Sequence, residues 1–539
     1  MIPNSGDYRL HFVGASCKAS SPANTGYLSS LILELEEEYG LRIEFLEGQI
    51  RLLKKEIFGQ KSEKRSPEDS ELHQLHLFNE AEVFTEKEPE EPQVVAEHTR
   101  RKPKRKPLPA DLPRVDRIQD IKEEEKVCAC GEALCRIGEE VSEKLDFIPA
   151  KIRVIRTIRY KYACKKCEGV ESEEPTVKIA PLPPAIIPKG IATPGLLAHI
   201  VVSKYADALP LYRQEKIFSR HGIELSRSTM AGWMVKTAES SAPVMELLQK
   251  ELLTGPLVNA DETPVQVLGE PDKSNTTNSY MWVFRGGDPK KPVILFRYSP
   301  TRSGETPREI LQGYKGYCQT DAYSGYDALE GKSSGIILVG CFAHTRRNFV
   351  KVIDARGETL KNKTGSAEVA LDYIQKLYAI EKIARTSGLS PPEIVELRKE
   401  KAKPILEEFK AWIEKRVIQT PPKGLLGKAL NYARNHWPKL IRYLEDGNIT
   451  PDNNPAENAI RPFVVGRKNW LFAGHPNGAH AAATLYSLIE TAKACGLEPY
   501  RYLRFLFENL PYAQNEADYR TLLPQNVTQE QLAQFMDTL

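Results

Sequence analysis

No stretch of this 539-residue chain approaches eighteen uninterrupted apolar residues, so the pattern of a membrane-spanning helix is missing. The opening MIPNSGDYRLHFVG also lacks the basic start and apolar run of a secretory signal, which sets the expectation of a soluble, cytoplasmic protein. Net charge is scarce as well. The 75 Lys and Arg nearly cancel 72 Asp and Glu to leave +3, which names no partner and moves the question to where charges cluster. Cysteines number only nine, and four of them form two tight pairs, a usage that in a reducing compartment favours metal binding over disulfides. Tandem repeats of the solenoid kind are lacking. What is present is a globular composition, 41% apolar and 27% charged, with 38 prolines marking several linkers, enough for two to four domains.

Residues 1–26 carry little signal. In the next segment, 27–58, Ile43, Leu46, Ile50, Leu53 and Ile57 recur at alternating steps of three and four, the seam of a short coiled coil. The other reading is an amphipathic helix packed on its own chain. Residues 59–114 are a polar linker, acidic around 86–91 and then basic at Arg100, Arg101, Lys102, Lys104, Arg105 and Lys106. Such a run can neutralise phosphates or merely stay solvated. Residues 115–175 hold the cysteine pairs, separated by the alternating run Ile152, Val154, Ile158, Tyr160 and Tyr162, which predicts one or two strands. Residues 190–250 predict two helices around a tight turn at His221 and Gly222, with Ser226 capping the second. This is a helix-turn-helix pattern, for which two packed helices without a nucleic-acid role are the alternative.

From about residue 256 the chain turns to strand-like runs: PLVNADETPVQVL, YMWVFRG, PVILFRYS, GYCQTDAYSGY and GIILVGCFAH. These predict an α/β core over 255–475, interrupted at about 366–446 by a Glu-, Lys-, Leu- and Ala-rich helical insertion and followed by a helical region over 476–539. Inside the apolar runs sit two acids, Asp261 in LVNADETPV and Asp321 at the end of GYCQTDAY. A third, Glu457, follows Pro455 at a predicted helix start, with Arg461 one turn on. A buried carboxylate needs a hydrogen bond, an opposite charge or a cation. Three brought together repel, and a divalent metal relieves that repulsion. Hard oxygen ligands suit Mg²⁺ or Mn²⁺, and a pair of such ions about 4 Å apart serves phosphodiester chemistry. The alternative is that each Asp caps a turn or a helix.

The segments NADETPVQV, TDAYSGY, CFAHTRRNF and NNPAENAIRPFVVGRKNWLFAGH, in this order and separation, resemble the transposases of the bacterial insertion-sequence family numbered sixty-six. The likeness runs over about nine tenths of the chain. It implies a ribonuclease-H-like catalytic core with a helical insertion, preceded by the coiled-coil helix, a small zinc-ribbon-like module and the helix-turn-helix. It further implies that Asp261, Asp321 and Glu457 are the metal-binding acids of an Asp-Asp-Glu transposase, holding Mg²⁺ or Mn²⁺. On that implication the protein is nucleoid-associated, binds the terminal inverted repeats of double-stranded DNA, cleaves an element end, and joins the freed 3′-hydroxyl to target DNA. A homo-oligomer, at least a dimer, and accessory proteins encoded by the same element are expected partners.

Around the triad, Arg461, Arg467 and Lys468 are candidates for phosphate contact. His344 is a candidate either to support the acids from behind or to contact DNA, with a satisfied structural histidine as the alternative, and Arg346 and Arg347 extend that basic edge. Trp470 reads first as a core aromatic and second as a platform for a displaced base. Arg227 and Ser228 open the second helix of the helix-turn-helix, where a groove-reading helix presents its contacts. Cys128, Cys130, Cys164 and Cys167 suit a tetrahedral Zn²⁺ site, although the first pair is one residue short of the usual spacing and Cys135 could substitute. Three rivals stand beside this reading: a catalytically idle regulator derived from a transposase, a nuclease that cuts without joining, and a coiled-coil assembly protein.

Overall fold

The computed structural model describes Tyr39, Ile43 and residues 46–52, 152–163, 177–321, 323–331, 335–355 and 365–537. The paired cysteines, Leu53, Ile57 and the basic run at 100–106 lie outside the described residues. Two compact units divide the chain, one of residues 87–183 and one of the remainder. In the smaller unit β1 (Lys161–Ala163) pairs antiparallel with β2 (Val177–Ile179). The strand expected from Ile152 onward is therefore shorter than its alternation suggested. Residues 152–160 form no ladder, and Val154 is 88% exposed, so their apolar side chains find no buried face among the described residues.

In the larger unit the first continuous described stretch is helical, residues 46–52, whose buried Gly48 lies where an added Cβ would meet Ala355 and Leu425 at 3.5 and 3.6 Å. Arg51 Nε donates to the Ala355 carbonyl. Ile43, Leu46 and Ile50 point away from this contact and are about half exposed. Next come α1 (Pro194–Tyr205), α2 (Leu211–Arg220), α3 (Arg227–Ser240) and α4 (Ala242–Leu252). Ser226 caps α3 by accepting from Thr229 N at 3.2 Å, as its sequence position predicted.

A mixed sheet follows: β3 (Leu257–Val267), β4 (Asn278–Gly286), β5 (Val293–Ser299), β6 (Gly316–Gln319) and β7 (Ile336–Val339). Their spatial order is β5-β4-β3-β6-β7, antiparallel from β5 to β3 and parallel from β3 to β7. Helices then run as α5 (Phe342–Asp354), α6 (Ser366–Thr386), α7 (Pro391–Leu397), α8 (Lys403–Ile418) and α9 (Leu425–Leu440). After them come α10 (Asn454–Trp470), β8 (Phe472–Ala473), α11 (Pro476–Ala494) and α12 (Pro499–Asn509), with β8 extending the sheet beside the end of β3.

Burial explains this arrangement. Trp282, Phe284 and Phe296 of the sheet pack with Phe463, Tyr486 and Phe507 from α10, α11 and α12 in the main core. Helices α6, α8 and α9 close a second core of Phe409, Trp437, Ile374 and Leu406 against Phe342 and Phe349 of α5. The β5 edge is sealed by α11: Ser487 Oγ accepts from Phe296 N at 2.8 Å, and Thr491 Oγ1 accepts from Ile294 N at 3.0 Å. An edge covered in this way offers no template for another strand. No helix among the described residues is long and apolar enough to cross a membrane.

Candidate active site

Three buried amides bring the predicted acids together. Asn259, two residues before Asp261 and on the same face of β3, donates through Nδ2 to Gln319 Oε1 at 3.0 Å and to Asn453 Oδ1 at 3.1 Å. Gln319, two residues before Asp321, donates to the Thr450 and Gly340 carbonyls at 2.7 and 3.2 Å. Asn453 precedes α10 and donates to the Ala260 carbonyl at 2.8 Å. All three are at most 1% exposed. Buried amides of this kind hold position because losing any one bond strands its partners without water, at a cost of about 1–3 kcal/mol each. They tie the acid-bearing stretch of β3, the end of β6 and the first turn of α10 into one locus.

Each aspartate is further oriented by its own backbone. Asp261 Oδ1 accepts from Glu262 N at 2.9 Å, and Asp321 Oδ1 accepts from Tyr323 N at 2.9 Å. Burial, then the charges of Glu262, Glu457 and Asp321, push the Asp261 carboxyl well above the usual carboxylate range. That mutual repulsion, among hard oxygen donors, is what a divalent cation relieves, so the three side chains fit such an ion.

Glu457, in the first turn of α10, is flanked by α5. His344 Nδ1 lies 3.7 Å from its Oε1 and Arg347 Nη2 lies 3.5 Å from its Oε2. Burial, with Arg347 and Lys351 nearby, lowers the His344 imidazole to about 3, so it is neutral at physiological pH. Ligand atoms of Cys341, His344 and Glu457 approach within 4.8 Å of one another. The sulfur does not fit a soft-metal site, however. Burial keeps the thiol protonated, and Sγ already accepts from Asn453 N at 3.2 Å.

On the opposite face of β3, the Glu262 side chain is 1% exposed and ion-paired with Arg302 at 2.5 Å. It accepts from Tyr326 Oη at 2.6 Å. The Arg302 guanidinium stacks 3.8 Å from the Tyr323 ring, beside the Asp321 turn. Burial, then the Asp321 charge, raises the Glu262 carboxyl against the hydrogen bonds that hold it down.

The other predicted residues scatter around this centre. Arg467 is half-buried and donates to Thr263 Oγ1 at 3.1 Å, two residues beyond Asp261 and on the same face of β3. Arg461 and Arg346 are half-buried, and Lys468 is exposed on α10. Arg227 and Ser228 are exposed at the start of α3, where Arg227 N donates to Glu215 Oε1 of α2 at 3.1 Å. Sequence reasoning missed Asn259, Gln319 and Asn453. Their signal was available: each precedes a triad acid by two or four residues, and a polar amide inside an apolar strand needs a buried partner.

The model of the "Transposase IS66 family" matches residues 189–481. Residues 125–168 match the "zinc-finger binding domain of transposase IS66", 45–117 the "Transposase C of IS166 homeodomain" and 487–525 the "IS66 C-terminal element". Among curated relatives, the uncharacterized protein y4jD of Sinorhizobium fredii is 35% identical over 441 residues, covering 79% of this chain and 83% of its own length. The uncharacterized protein y4hP of the same organism is 31% identical over 478 residues, covering 85% of this chain and 84% of the relative.

Proposed function

The chain belongs to the IS66 family of transposases and is thus a DNA-binding transposase, and from that premise we propose that it cuts the ends of its element and joins them to target DNA through Asp261, Asp321 and Glu457. The observation that carries this reading is the amide network of Asn259, Gln319 and Asn453, which ties β3, the end of β6 and the start of α10 together within two to four residues of the three acids. The β5-β4-β3-β6-β7 sheet, with its first acid on the central strand, supports a ribonuclease-H-like core. Asp261, Asp321 and Glu457 would hold Mg²⁺ or Mn²⁺, two ions in the full site. Such cations supply Lewis acidity and neutralise charge on the attacking and leaving oxygens of a phosphodiester.

The chain's own residues prepare that chemistry. Glu262 N and Tyr323 N fix the rotamers of the two aspartates. Arg347 balances the charge of Glu457, while neutral His344 packs against it without adding charge. Water first cleaves the bond at the element end, releasing a 3′-hydroxyl. That hydroxyl then attacks a target phosphodiester and displaces the target 3′-oxygen, so one bond forms as one breaks and no covalent enzyme intermediate is needed. Arg461, Arg467, Lys468, His344, Arg346 and Arg227 are the proposed contacts to the strands.

Binding of the terminal inverted repeats falls to the regions before the core. Zn²⁺ held by Cys128, Cys130, Cys164 and Cys167 would fold the module at 125–168, whose family match names a zinc finger. The outward seam of Ile43, Leu46 and Ile50 would pair two chains, which brings two element ends together. The test is a joining assay with labelled element ends, target plasmid, Mg²⁺ or Mn²⁺ and the element's accessory proteins. Joined product is expected from the native chain and none from Glu457→Gln. Undiminished joining by Glu457→Gln would sink the triad, and cleavage without any joining would favour the cutting-only rival.

A further inference from the structure

A cavity of about 650 Å³ opens beyond the acids, between α1, α3 and the end of the catalytic sheet. Its inner wall includes Val265 of β3, Tyr205 of α1, Trp470 at the end of α10 and Phe472 of β8. Val265 lies on the same face of β3 as Asp261, about 13 Å along the strand at about 3.3 Å per residue. Between the two, Arg467 is held against Thr263. A strand leaving the acids past Arg467 therefore arrives at this opening.

The cavity is chemically two-sided. Trp470 is half-buried and anchored edge-on to Phe463, with ring centroids 5.5 Å apart, and so offers a fixed aromatic surface. Lys204 Nζ stands 5.6 Å from the Trp470 ring and 5.2 Å from the Tyr205 ring. No carboxylate among the described residues forms an ion pair with Lys204, and burial alone lowers its ammonium to about 8. Lys236 stands exposed at the rim, with Glu239 one turn on. The 19-residue α11 begins at Pro476, with Asn477 and Gly478 of its first turn lining the opening, and adds the positive end of a helix dipole. Two ammonium groups and a helix N-terminus against one carboxylate favour an anion, and the aromatic wall favours a flat π-system. One ligand class combines both, a nucleotide.

We propose that this cavity is a nucleotide-binding pocket, in which a nucleotide displaced from the DNA near the acids stacks on Trp470 and places its phosphate by Lys204. The choice of DNA as the source rests on the reading that a DNA strand lies along the triad. The nucleotide chemistry of the pocket stands without it. Displacement has a structural use here: a base taken out of the duplex marks a position relative to the acids, which sets the bond that is cut.

The test uses the full chain and two probes, a short thymidine oligonucleotide carrying one 2-aminopurine, and free dAMP. The oligonucleotide should bind with quenched 2-aminopurine fluorescence. Trp470→Leu should relieve the quench and weaken binding about tenfold, and Lys204→Gln should weaken it in the same direction. Lys204→Gln keeps the test open if Trp470→Leu fails to fold, with circular dichroism checking both. Competition by dAMP would make the pocket a site for free nucleotides, and its failure beside a quenched oligonucleotide would assign the pocket to DNA. Either result upholds the nucleotide class. Wild-type binding and quenching by both folded variants would overturn the proposal. So would an apolar dye bound there that neither probe displaces, since that marks a greasy docking groove. Quenching retained in the native chain beside undiminished joining by Glu457→Gln would leave the pocket standing and sink the triad, so the two failures are distinguishable.

Discussion

Asp261→Asn is expected to lower cleavage and joining by about 10³-fold or more, while making the metal-free fold more stable. The first effect follows from removing a cation ligand, because several kcal/mol of transition-state stabilisation are lost and each 1.36 kcal/mol is about tenfold in rate. The second follows from linkage. Burial and the neighbouring acids raise the Asp261 carboxyl in the folded chain above its unfolded value. The folded state then binds more protons than the unfolded one, so metal-free stability falls as pH rises from about 4 towards the raised value. The Asn variant lacks that slope. Thermal melts from pH 4 to 8 without divalent ions should show the wild type losing ground to the variant at the upper end. Added Mn²⁺ should reverse the order, since a ligand at 100 times its Kd adds about 2.7 kcal/mol to the form that binds it. Parallel melts with and without metal would contradict the assignment.

The second large effect lies away from the acids. Arg398→Ala is expected to destabilise the helical insertion by about 3–5 kcal/mol, the usual result of removing one partner of a buried ion pair. Arg398 is 1% exposed and sits in a π-helical turn, Arg398–Ala402, between α7 and α8. It grips Glu381 of α6 through two bonds of 2.8 and 2.7 Å. It also donates to the carbonyls of Tyr443, Asp446 and Ile449 at 2.6, 2.9 and 2.7 Å. Those carbonyls belong to the stretch that leads into Asn453 and Glu457. The insertion thus holds the approach to the third acid, and its loss should show as a lowered unfolding midpoint with faster proteolysis around residues 441–453. Lys in its place carries one point charge and cannot reproduce the fork, so Arg398→Lys should recover only part of the loss. An unchanged midpoint in Arg398→Ala would refute the role.

Much of the core was legible in the sequence. Strands β3 to β7 fall on the runs that were read as strands, because apolar β-branched segments bounded by Gly and Pro give a strong local signal. The start of α10 beside Pro455 and the cap at Ser226 were equally readable, since both follow from local backbone chemistry. The run from Ile152 to Tyr160 misled, because alternation alone does not supply a partner strand. His344 was readable as a group behind the acids or a DNA contact, but Glu457 as its particular neighbour was not, because that contact is made across 113 positions of sequence by two helices.

What stayed hidden depends on distance in sequence. Arg398 stands in a Lys- and Glu-rich helix where any Arg resembles a solvated one, and only the second core shows it buried. Glu262 follows Asp261 directly, and the strand's alternation sends it to the opposite face, to Arg302 and Tyr326. The cavity beside Trp470 draws on α1, α3, β3 and α10, and no local pattern encodes such a convergence.

The central claim, that these acids act as cation ligands, is tested most directly by Asp321→Cys in the joining assay with Mg²⁺ and with Mn²⁺ in parallel. A thiolate is a poor partner for Mg²⁺ and a better one for Mn²⁺. The account predicts no joining by the Cys variant in Mg²⁺ and measurable recovery in Mn²⁺, with the native chain active in both. Equal activity of the variant in the two ions, whether full or residual, would contradict it.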